Sequence, residues 1–158
     1  MVTAVLPGSF NPPTNGHIDI IKRCAAVFDR VYVVVMRNNS KKYLFTKEEC
    51  VEMLKLSTKD IENIVIDQSE GLVVDYAKKI NAKVIVKGLR NAHDLDYELQ
   101  MAAANNQLSG IETMLIASKG EHTHISSSLV REIASLKGDI SHFVPKEIED
   151  IILKKFKE

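Results

Sequence analysis

The sequence has no excess charge of either sign, since 21 Lys and Arg residues balance 21 Asp and Glu residues in a chain of 158. Proteins that wrap nucleic acid usually carry a strong basic excess, so we expect no nucleic-acid partner. The apolar fraction of 45% and the charged fraction of 27% exclude a disordered or collagen-like chain. This length and composition predict a single globular domain over residues 1–158.

Cysteine is scarce, and long apolar runs are absent. Cys24 and Cys50 form neither a CxxC motif nor a metal-ligand spacing, so we interpret both as small buried hydrophobic residues in a reducing compartment. No stretch approaches the roughly 20 apolar residues that a membrane span needs. The apolar start of the chain lacks a basic flank and meets Pro7 too early for a signal peptide. We therefore expect a cytoplasmic protein without a membrane partner.

Short runs rich in β-branched residues alternate with longer segments of helical periodicity. The short runs are almost continuously apolar, which is typical of strands covered on both faces, and the alternation indicates parallel strands joined by right-handed crossovers. The predicted strands are 2–6, 31–36, 64–67, 84–87 and 113–117, and the predicted helices are 16–28, 46–56, 72–80, 94–108, 127–136 and 145–156. The prediction is an α/β, Rossmann-like domain: a five-stranded parallel sheet with helices on both faces.

Two helices have further signals. Thr46 followed by Glu49 predicts a capping box at the start of the second helix. In the last helix, the spacing of Ile148, Ile151, Ile152 and Lys155 predicts one common face.

The loops after the strands carry the functional signal, because ligands of open parallel sheets bind beyond the carboxyl ends of the strands. Four of these loops concentrate small, basic and hydroxyl residues: 7–17, 37–42, 88–90 and 118–128. In the first loop, Gly8 allows close approach of a ligand, Ser9 offers a hydroxyl and His17 an imidazole beside a helix start that favours anions. Neither GxGxxG nor the P-loop GxxxxGK[ST] occurs. The loops predict a phosphate-handling site.

Within the first loop, Thr14-Asn15-Gly16-His17 resembles the TxGH signature of the nucleotidyltransferase superfamily. Further matches follow in order: SKK at 40–42, KGLR at 87–90, DYELQMA at 96–102 with Asn105, and ISSSLVRE at 125–132. Together they extend over almost the whole chain, which resembles the bacterial phosphopantetheine adenylyltransferases. The resemblance implies transfer of AMP from ATP to 4′-phosphopantetheine by direct in-line displacement, giving dephospho-coenzyme A and pyrophosphate in coenzyme A biosynthesis.

The physical chemistry of that reaction agrees with what the sequence lacks. A phosphate monoester is already anionic near neutral pH, so no side chain need remove a proton from it and no covalent enzyme intermediate is required. The absence of a Ser-His-Asp or Cys-His constellation therefore fits. The site must instead hold two repelling phosphate groups in line and stabilise charge at the α-phosphate.

The resemblance implies a role for each matched residue. His17, Lys41 and Arg90 would be catalytic: His17 would stabilise the transition state at the α-phosphate, Lys41 would orient the incoming phosphate, and Arg90 would bind the β- and γ-phosphates. The implied ATP site comprises Ser9, Phe10, His17, Gly88, Leu89, Arg90, Glu98, His122, Thr123, His124, Ile125, Ser126, Ser127 and Ser128. The implied phosphopantetheine site comprises Ser9, Lys41, Val73 and Lys87.

The resemblance also implies Mg²⁺ bridging oxygens of ATP, with no protein ligand to the metal, and a homohexamer. Four positions depart from the family pattern, and at one of them Ser9 stands where threonine is frequent, which keeps the hydroxyl. Asn11 stands where aspartate is usual, which weakens the case for a protein ligand to Mg²⁺. Lys87 stands where arginine is more frequent, so the charge is kept but the two-pronged contact of a guanidinium with phosphate is lost. His122 stands where an aromatic residue is common, which affects the packing of adenine.

Several alternatives stay open. The chain could be another adenylyl- or cytidylyltransferase of the superfamily, acting for example on nicotinate mononucleotide or glycerol phosphate, or a nucleotide-binding domain without catalysis. His122 and His124 could bind zinc, although a third ligand at recognisable spacing is absent. Lys41 and Lys42 could form only a solvated turn, and Ser126–Ser128 could only cap a helix.

Overall fold

The computed structural model describes residues 1–157, in which parallel strands alternate with helices along the chain. The strands are β1 (Thr3–Gly8), β2 (Arg30–Val35), β3 (Ile64–Gln68), β4 (Val84–Leu89) and β5 (Glu112–Ala117). The helices are α1 (Asn15–Val27), α2 (Lys47–Ser57), α3 (Val73–Lys79), α4 (Ala92–Ser109), α5 (Ser127–Ser135) and α6 (Lys146–Lys155), with a 3₁₀ turn at Gly120–His122. Apart from this turn, every element was predicted, and each predicted boundary lies within two residues of the observed one.

The five strands form one parallel sheet in the order β3-β2-β1-β4-β5. The chain first builds outward from β1 through β2 to β3, and then returns to place β4 on the other side of β1. In such sheets the crossovers on the two sides of the reversal leave a crevice at the carboxyl ends of the two central strands. The topology therefore directs attention to the ends of β1 and β4.

Both faces of the sheet are buried, which explains why the strands are continuously apolar. In β1, Ala4 and Leu6 belong to the larger core, whereas Val5 between them belongs to a smaller core on the opposite face. Ile21 of α1 and Leu54 of α2 cover the larger-core face. Successive side chains of a strand point to opposite faces, so a polar residue at any of these β1 positions would face one of the two cores.

Capping and ion pairing fix the helices that flank the sheet. The predicted capping box of α2 is confirmed: the Thr46 hydroxyl accepts from the Glu49 N–H, and the Glu49 carboxylate accepts from the Thr46 N–H at 2.7 Å. The same carboxylate accepts from Lys155 Nζ at 2.9 Å, which ties α6 to α2. Bonds from Thr46 and Lys155 lower the pKa of Glu49.

The prediction of a common apolar face on α6 is wrong at one position. Ile148 and Ile152, four residues apart, are fully buried, but Ile151 is 38% exposed. A helix advances 100° per residue, so Ile151 lies about 100° from Ile152 around the helix axis. The buried stripe of α6 is too narrow to include both.

The two cysteines are buried, as the sequence predicts. Burial raises the pKa of the Cys24 and Cys50 thiols to about 11, so neither is a thiolate near neutral pH. Among the described residues, no helix combines the length and apolar character that crossing a bilayer requires.

Candidate active site

A cavity of about 470 Å³ opens where the topology places it, at the carboxyl ends of β1 and β4. Pro7 and Gly8 of β1 and Lys87 and Gly88 of β4 contribute to its lining, together with the loop after β1 and the N-terminal part of α5. Its volume is ordinary for a small-molecule site, which typically measures roughly 300–1,000 Å³. The structure thus brings together residues far apart in the sequence.

Most of the residues singled out by the sequence line this one cavity. They are Ser9, Phe10, His17, Lys41, Lys87, Gly88, Arg90, Glu98, His122, Ile125, Ser126, Ser127 and Ser128. Val73 lies instead in a second cavity of about 80 Å³. Lys87 and Glu98 line both cavities, so the two adjoin at the end of β4.

Three predicted ATP-site residues lie outside the lining of the main cavity. The carbonyl of Leu89 accepts the N–H of Ser118 at 2.7 Å, and the Thr123 hydroxyl donates to the carbonyl of Gly120 at 3.0 Å. The ring of His124 packs edge-on against Phe143, with centroids 6.1 Å apart. In the structure these residues shape the loops around the cavity, and contact between them and ATP stays a prediction.

His17, at the start of α1, is held by the residue that caps the helix. The Thr14 N–H donates to Nδ1 of His17 at 3.0 Å, and the Thr14 hydroxyl accepts from the His17 N–H, so the imidazole completes a capping box. Since Nδ1 accepts this hydrogen bond, the proton of the neutral ring resides on Nε2. His17 therefore offers the cavity an N–H donor.

The surroundings of His17 keep the ring neutral. Burial is the largest cause, and the positive charges of Arg90 and Lys87 add to it, lowering the pKa of His17 to about 4. An imidazolium beside two cations would be disfavoured further by Coulomb repulsion. At neutral pH this side chain donates a hydrogen bond without carrying a charge.

Phe10 supports the imidazole from one side. Its ring is almost completely buried and meets His17 edge-on, with centroids 5.0 Å apart and planes at 67°. The ring also lies close to the backbone of Gly8, where an added Cβ would be 2.9 Å from two of its carbons. Glycine at position 8 is therefore required by the packing of Phe10, in addition to any approach of a ligand.

The loop after β1 is fastened from two sides. The Ser127 hydroxyl of α5 donates to the carbonyl of Pro12 at 2.7 Å, and Nη1 of Arg131 donates to the carbonyl of Asn11 at 2.6 Å. From the other side, the Phe45 N–H donates to Oδ1 of Asn11 at 2.9 Å. The Asn11 side chain is buried in this contact and is not part of the cavity lining, so replacing aspartate by asparagine removes no carboxylate from the cavity.

The start of α5 offers backbone donors to an anion. Ser126 caps the helix by accepting the Leu129 N–H at 3.0 Å. Helix capping was one of the two roles considered for the stretch Ser126–Ser128. The N–H groups of the first turn of a helix have no acceptor within the helix, and those of Ser127 and Ser128 lie at the cavity, whose lining includes both residues. Capping and anion binding are thus compatible at this helix start.

The cations of the cavity differ in how firmly they are held. Arg90 is paired with Asp94 by contacts of 3.1 Å and 3.3 Å, and Nζ of Lys87 lies 3.5 Å from Oε1 of Glu98. Lys41 lines the cavity mouth from an exposed turn in which its N–H donates to the carbonyl of Asn38 at 3.1 Å. Lys42 beside it is exposed and outside the lining, as expected for a solvated lysine.

Sequence reasoning missed two charged residues of the cavity lining, Asp94 and Arg131. Asp94 stands four residues after Arg90, and Arg131 four residues after Ser127 at the start of its helix. Residues four apart on a helix lie on one face, so the spacing of Ser127 and Arg131 was an available signal for Arg131. Arg90 precedes α4, so its spacing to Asp94 gave no such signal. Within residues 1–157, no group of three or more His, Cys, Asp or Glu side chains is arranged to hold a metal ion, so the zinc alternative at His122 and His124 gains no third ligand.

Comparison with known proteins identifies the family to which the chain belongs. The model of the cytidylyltransferase-like family matches residues 5–133. Over 159 aligned residues, covering 100% of this chain and 99% of the relative, the chain is 47% identical to a phosphopantetheine adenylyltransferase of Caldanaerobacter subterraneus subsp. tengcongensis.

A solved structure gives a more distant likeness. A candidate nicotinate-nucleotide adenylyltransferase from Vibrio parahaemolyticus superposes with a TM-score of 0.73, covering 100% of this chain and 97% of that one at 18% sequence identity. At this identity the likeness shows a shared fold alone.

Proposed function

The chain belongs to the cytidylyltransferase-like family and, within it, to the phosphopantetheine adenylyltransferases, and from this premise we propose that its cavity transfers AMP from ATP to 4′-phosphopantetheine. The products are dephospho-coenzyme A and pyrophosphate, and the reaction belongs to coenzyme A biosynthesis. The observation that carries the proposal is the placement of the neutral His17 in one cavity with two separately held cations, Lys87 and Arg90.

The chemistry is a single displacement at phosphorus. An oxygen of the phosphopantetheine phosphate forms a bond to the α-phosphorus of ATP, and the bond from that phosphorus to the oxygen bridging to the β-phosphate breaks. The electron pair of the broken bond leaves with pyrophosphate. Because the attacking phosphate is already anionic, the protein need not remove a proton, and its contribution is to position the groups and stabilise charge.

His17 acts on the α-phosphate. Negative charge on the non-bridging oxygens of this group must be stabilised as the new bond forms, and the Nε2–H of His17 is fixed in place by the bond from Thr14 to Nδ1. A donor that is already oriented needs no rearrangement during the reaction. The low pKa of His17 ensures that it acts as a neutral donor rather than as a cation that would bind the ground state equally well.

The two ends of the cavity are suited to different phosphates. Arg90 and the first N–H groups of α5 form the side that receives the β- and γ-phosphates. Lys87 stands where the main cavity meets the second one, so it receives the phosphate of phosphopantetheine while Val73 contacts the pantetheine arm. Lys41 approaches from the mouth and aligns the incoming phosphate with the α-phosphorus.

We propose that Mg²⁺ enters with ATP as part of the substrate. The only carboxylates that line the main cavity, within the described chain, are Asp94 and Glu98, and both are paired with cations. That donor set does not form a protein cage for the metal, and Mg²⁺ commonly keeps phosphate and water oxygens as ligands. Bound in this way, Mg²⁺ neutralises charge on the polyphosphate.

We further propose a cytoplasmic homohexamer. The outer surface of α4 and its neighbour β5 exposes large apolar side chains, including Leu99, Leu108 and Met114, which support burial of this surface against other copies. Sedimentation equilibrium is expected to give six times the chain mass of 17.7 kDa. A mass of one chain at micromolar concentration would contradict the assembly without affecting the reaction assignment.

The reaction assignment is tested with a matrix of nucleotides and acceptors. Purified protein is given ATP or CTP, with Mg²⁺, and either 4′-phosphopantetheine, nicotinate mononucleotide or glycerol phosphate, and both products are quantified. We expect dephospho-coenzyme A and pyrophosphate in equal amounts from ATP and phosphopantetheine alone. Turnover only with another acceptor would assign the chain to a different transferase, and nucleotide binding without any turnover would identify a non-catalytic domain.

A further inference from the structure

Asp94 makes an unusual set of contacts with Arg90, the residue that faces the pyrophosphate end of ATP in the proposed function. Oδ2 of Asp94 accepts from both the backbone N–H and Nε of Arg90, each at 3.1 Å, and Oδ1 accepts from Nη2 at 3.3 Å. One carboxylate thus fixes the backbone and the guanidinium of the same arginine. Asp94 itself is set by the start of α4, where its N–H donates to Oδ1 of Asn91 at 3.0 Å.

A carboxylate at this place is unfavourable on charge alone. Asp94 lines the same cavity as the Ser127 and Ser128 N–H groups, and a bound polyphosphate would bring several negative charges toward it. Like charges at close range oppose binding. Any favourable effect of Asp94 on the binding of a polyphosphate must therefore come from its contacts with the protein.

The contacts define what that contribution is. A guanidinium has five N–H donors in a rigid fork, and the two side-chain bonds to Asp94 leave three of them for other acceptors. Nη1 donates to the carbonyl of Ile125 at 3.4 Å, which holds the guanidinium beside the start of α5. Two N–H groups of Arg90 then stay available to a ligand near the helix start that supplies the backbone donors.

Arginine has a long, flexible side chain, and holding it in one conformation before the ligand arrives reduces the entropy lost on binding. The Arg90 side chain is 35% exposed, so the cavity wall alone does not immobilise it. We propose that Asp94 is a positioning residue that holds the Arg90 guanidinium in the conformation that binds the β- and γ-phosphates of ATP, and later pyrophosphate. This inference rests on the proposed function, because it assumes that Arg90 receives those phosphates.

Inorganic pyrophosphate is the probe that separates positioning from charge. If Asp94 only adds negative charge, Asp94→Asn tightens pyrophosphate binding, whereas if Asp94 positions Arg90, the same change weakens it. By calorimetry at fixed pH and ionic strength we expect pyrophosphate to bind Asp94→Asn about fivefold or more weakly than wild type. The matched control is Asp96→Asn, which makes the same charge change at an exposed position of α4 outside the cavity lining and leaves affinity unchanged.

Two further variants keep the test independent of folding and helix capping. Asp94→Glu retains the charge but displaces the carboxylate, so positioning predicts weaker pyrophosphate binding and charge alone predicts no change. In the Arg90→Ala background, Asp94→Asn should have no weakening effect, since the residue it positions is absent. In steady state, Asp94→Asn should raise the KM for ATP while leaving the KM for phosphopantetheine unchanged, a split that loss of helix stability does not produce.

The outcomes separate this inference from the function on which it rests. Unchanged or tighter pyrophosphate binding by both Asp94→Asn and Asp94→Glu, in a protein that still turns over ATP and phosphopantetheine, would overturn the positioning role alone. Equal weakening with and without Arg90 would also overturn it. A wild-type protein that binds no pyrophosphate would overturn the proposed function and this inference with it.

Discussion

The backbone N–H of Thr14 donates to Nδ1 of His17 over 3.0 Å, and this one bond determines which nitrogen of the imidazole faces the cavity as a donor. In a common capping box a glutamate or glutamine side chain accepts the N–H of the capping residue. Here the imidazole of His17 accepts that bond, so the same residue caps the helix start and leaves Nε2–H as its free donor. The proposed catalytic role of His17 therefore depends on local helix geometry.

Removing this donor is expected to affect turnover much more than ATP binding. Loss of one preorganised donor to a transition-state oxyanion typically costs about 10²–10³ in kcat, so His17→Ala should lower kcat by this amount. The affinity for ATP, measured by calorimetry, should change less than about threefold because the bond strengthens mainly in the transition state. His142→Ala, at an exposed histidine outside the cavity lining, is the control. Equal losses in affinity and turnover would contradict the transition-state role.

The partly buried, neutral His17 also makes the stability of the protein depend on pH. The pKa of His17 is about 4 in the folded state and 6.5 in the unfolded chain, so between these values the unfolded state binds a proton that the folded state does not. Stability is therefore lost as pH falls through about 6.5 toward 4. Between about pH 7.5 and pH 5 the wild type should lose about 1–2 kcal/mol more unfolding free energy than His17→Gln. Denaturant titrations check this, and identical losses in the two proteins would contradict burial of a neutral imidazole.

Gly8 is expected to tolerate no side chain. A Cβ at this position would lie 2.9 Å from the ring of Phe10, which packs against His17, so Gly8→Ala must displace the ring or the strand end. We expect a loss of about 1–3 kcal/mol in unfolding free energy together with a fall in kcat. Gly120→Ala is the matched control, because a Cβ there meets no atom within 4 Å. If Gly8→Ala and Gly120→Ala behave alike, Phe10 does not support the imidazole in the way described.

Lys87 is expected to act on the acceptor substrate rather than on ATP, because it stands where the two cavities adjoin. Lys87→Met removes the charge and keeps much of the volume. It should raise the KM for phosphopantetheine about tenfold or more and leave the KM for ATP nearly unchanged. Lys42→Met, at the exposed lysine outside the cavity lining, provides the comparison. If only the KM for ATP rises, Lys87 binds ATP rather than phosphopantetheine, and the proposed role is wrong.

The sequence was sufficient for the fold because its strands are buried on both faces. Val5 and Leu6 belong to opposite cores, so continuous apolar character distinguished these strands from the helices around them. The sheet order could not be read from the same pattern, since it depends on which strand edges pair. The exposure of Ile151 on α6 likewise depends on the width of the contact with the core.

The presence of His17, Lys87 and Arg90 in the cavity was predictable because each lies in a stretch that resembles a family motif, whereas contacts that depend on the geometry of a turn were not. In the sequence, Asp94 resembles any acidic residue near a helix start, and its bonds to Arg90, four residues before it, depend on the geometry of the turn between β4 and α4. Conversely, His124 lies in a matched stretch, but its ring packs on Phe143 rather than in the cavity.

If the cavity joins AMP to 4′-phosphopantetheine by one direct displacement, the configuration at the α-phosphorus must invert, and this stereochemistry can be measured. The protein is given phosphopantetheine and ATP made chiral by a single sulfur on its α-phosphorus, and the configuration of the product is determined. A single displacement gives a thio analogue of dephospho-coenzyme A with inverted configuration. Retention would show two displacements through a covalent intermediate, and absence of this product would contradict the assignment of the substrates.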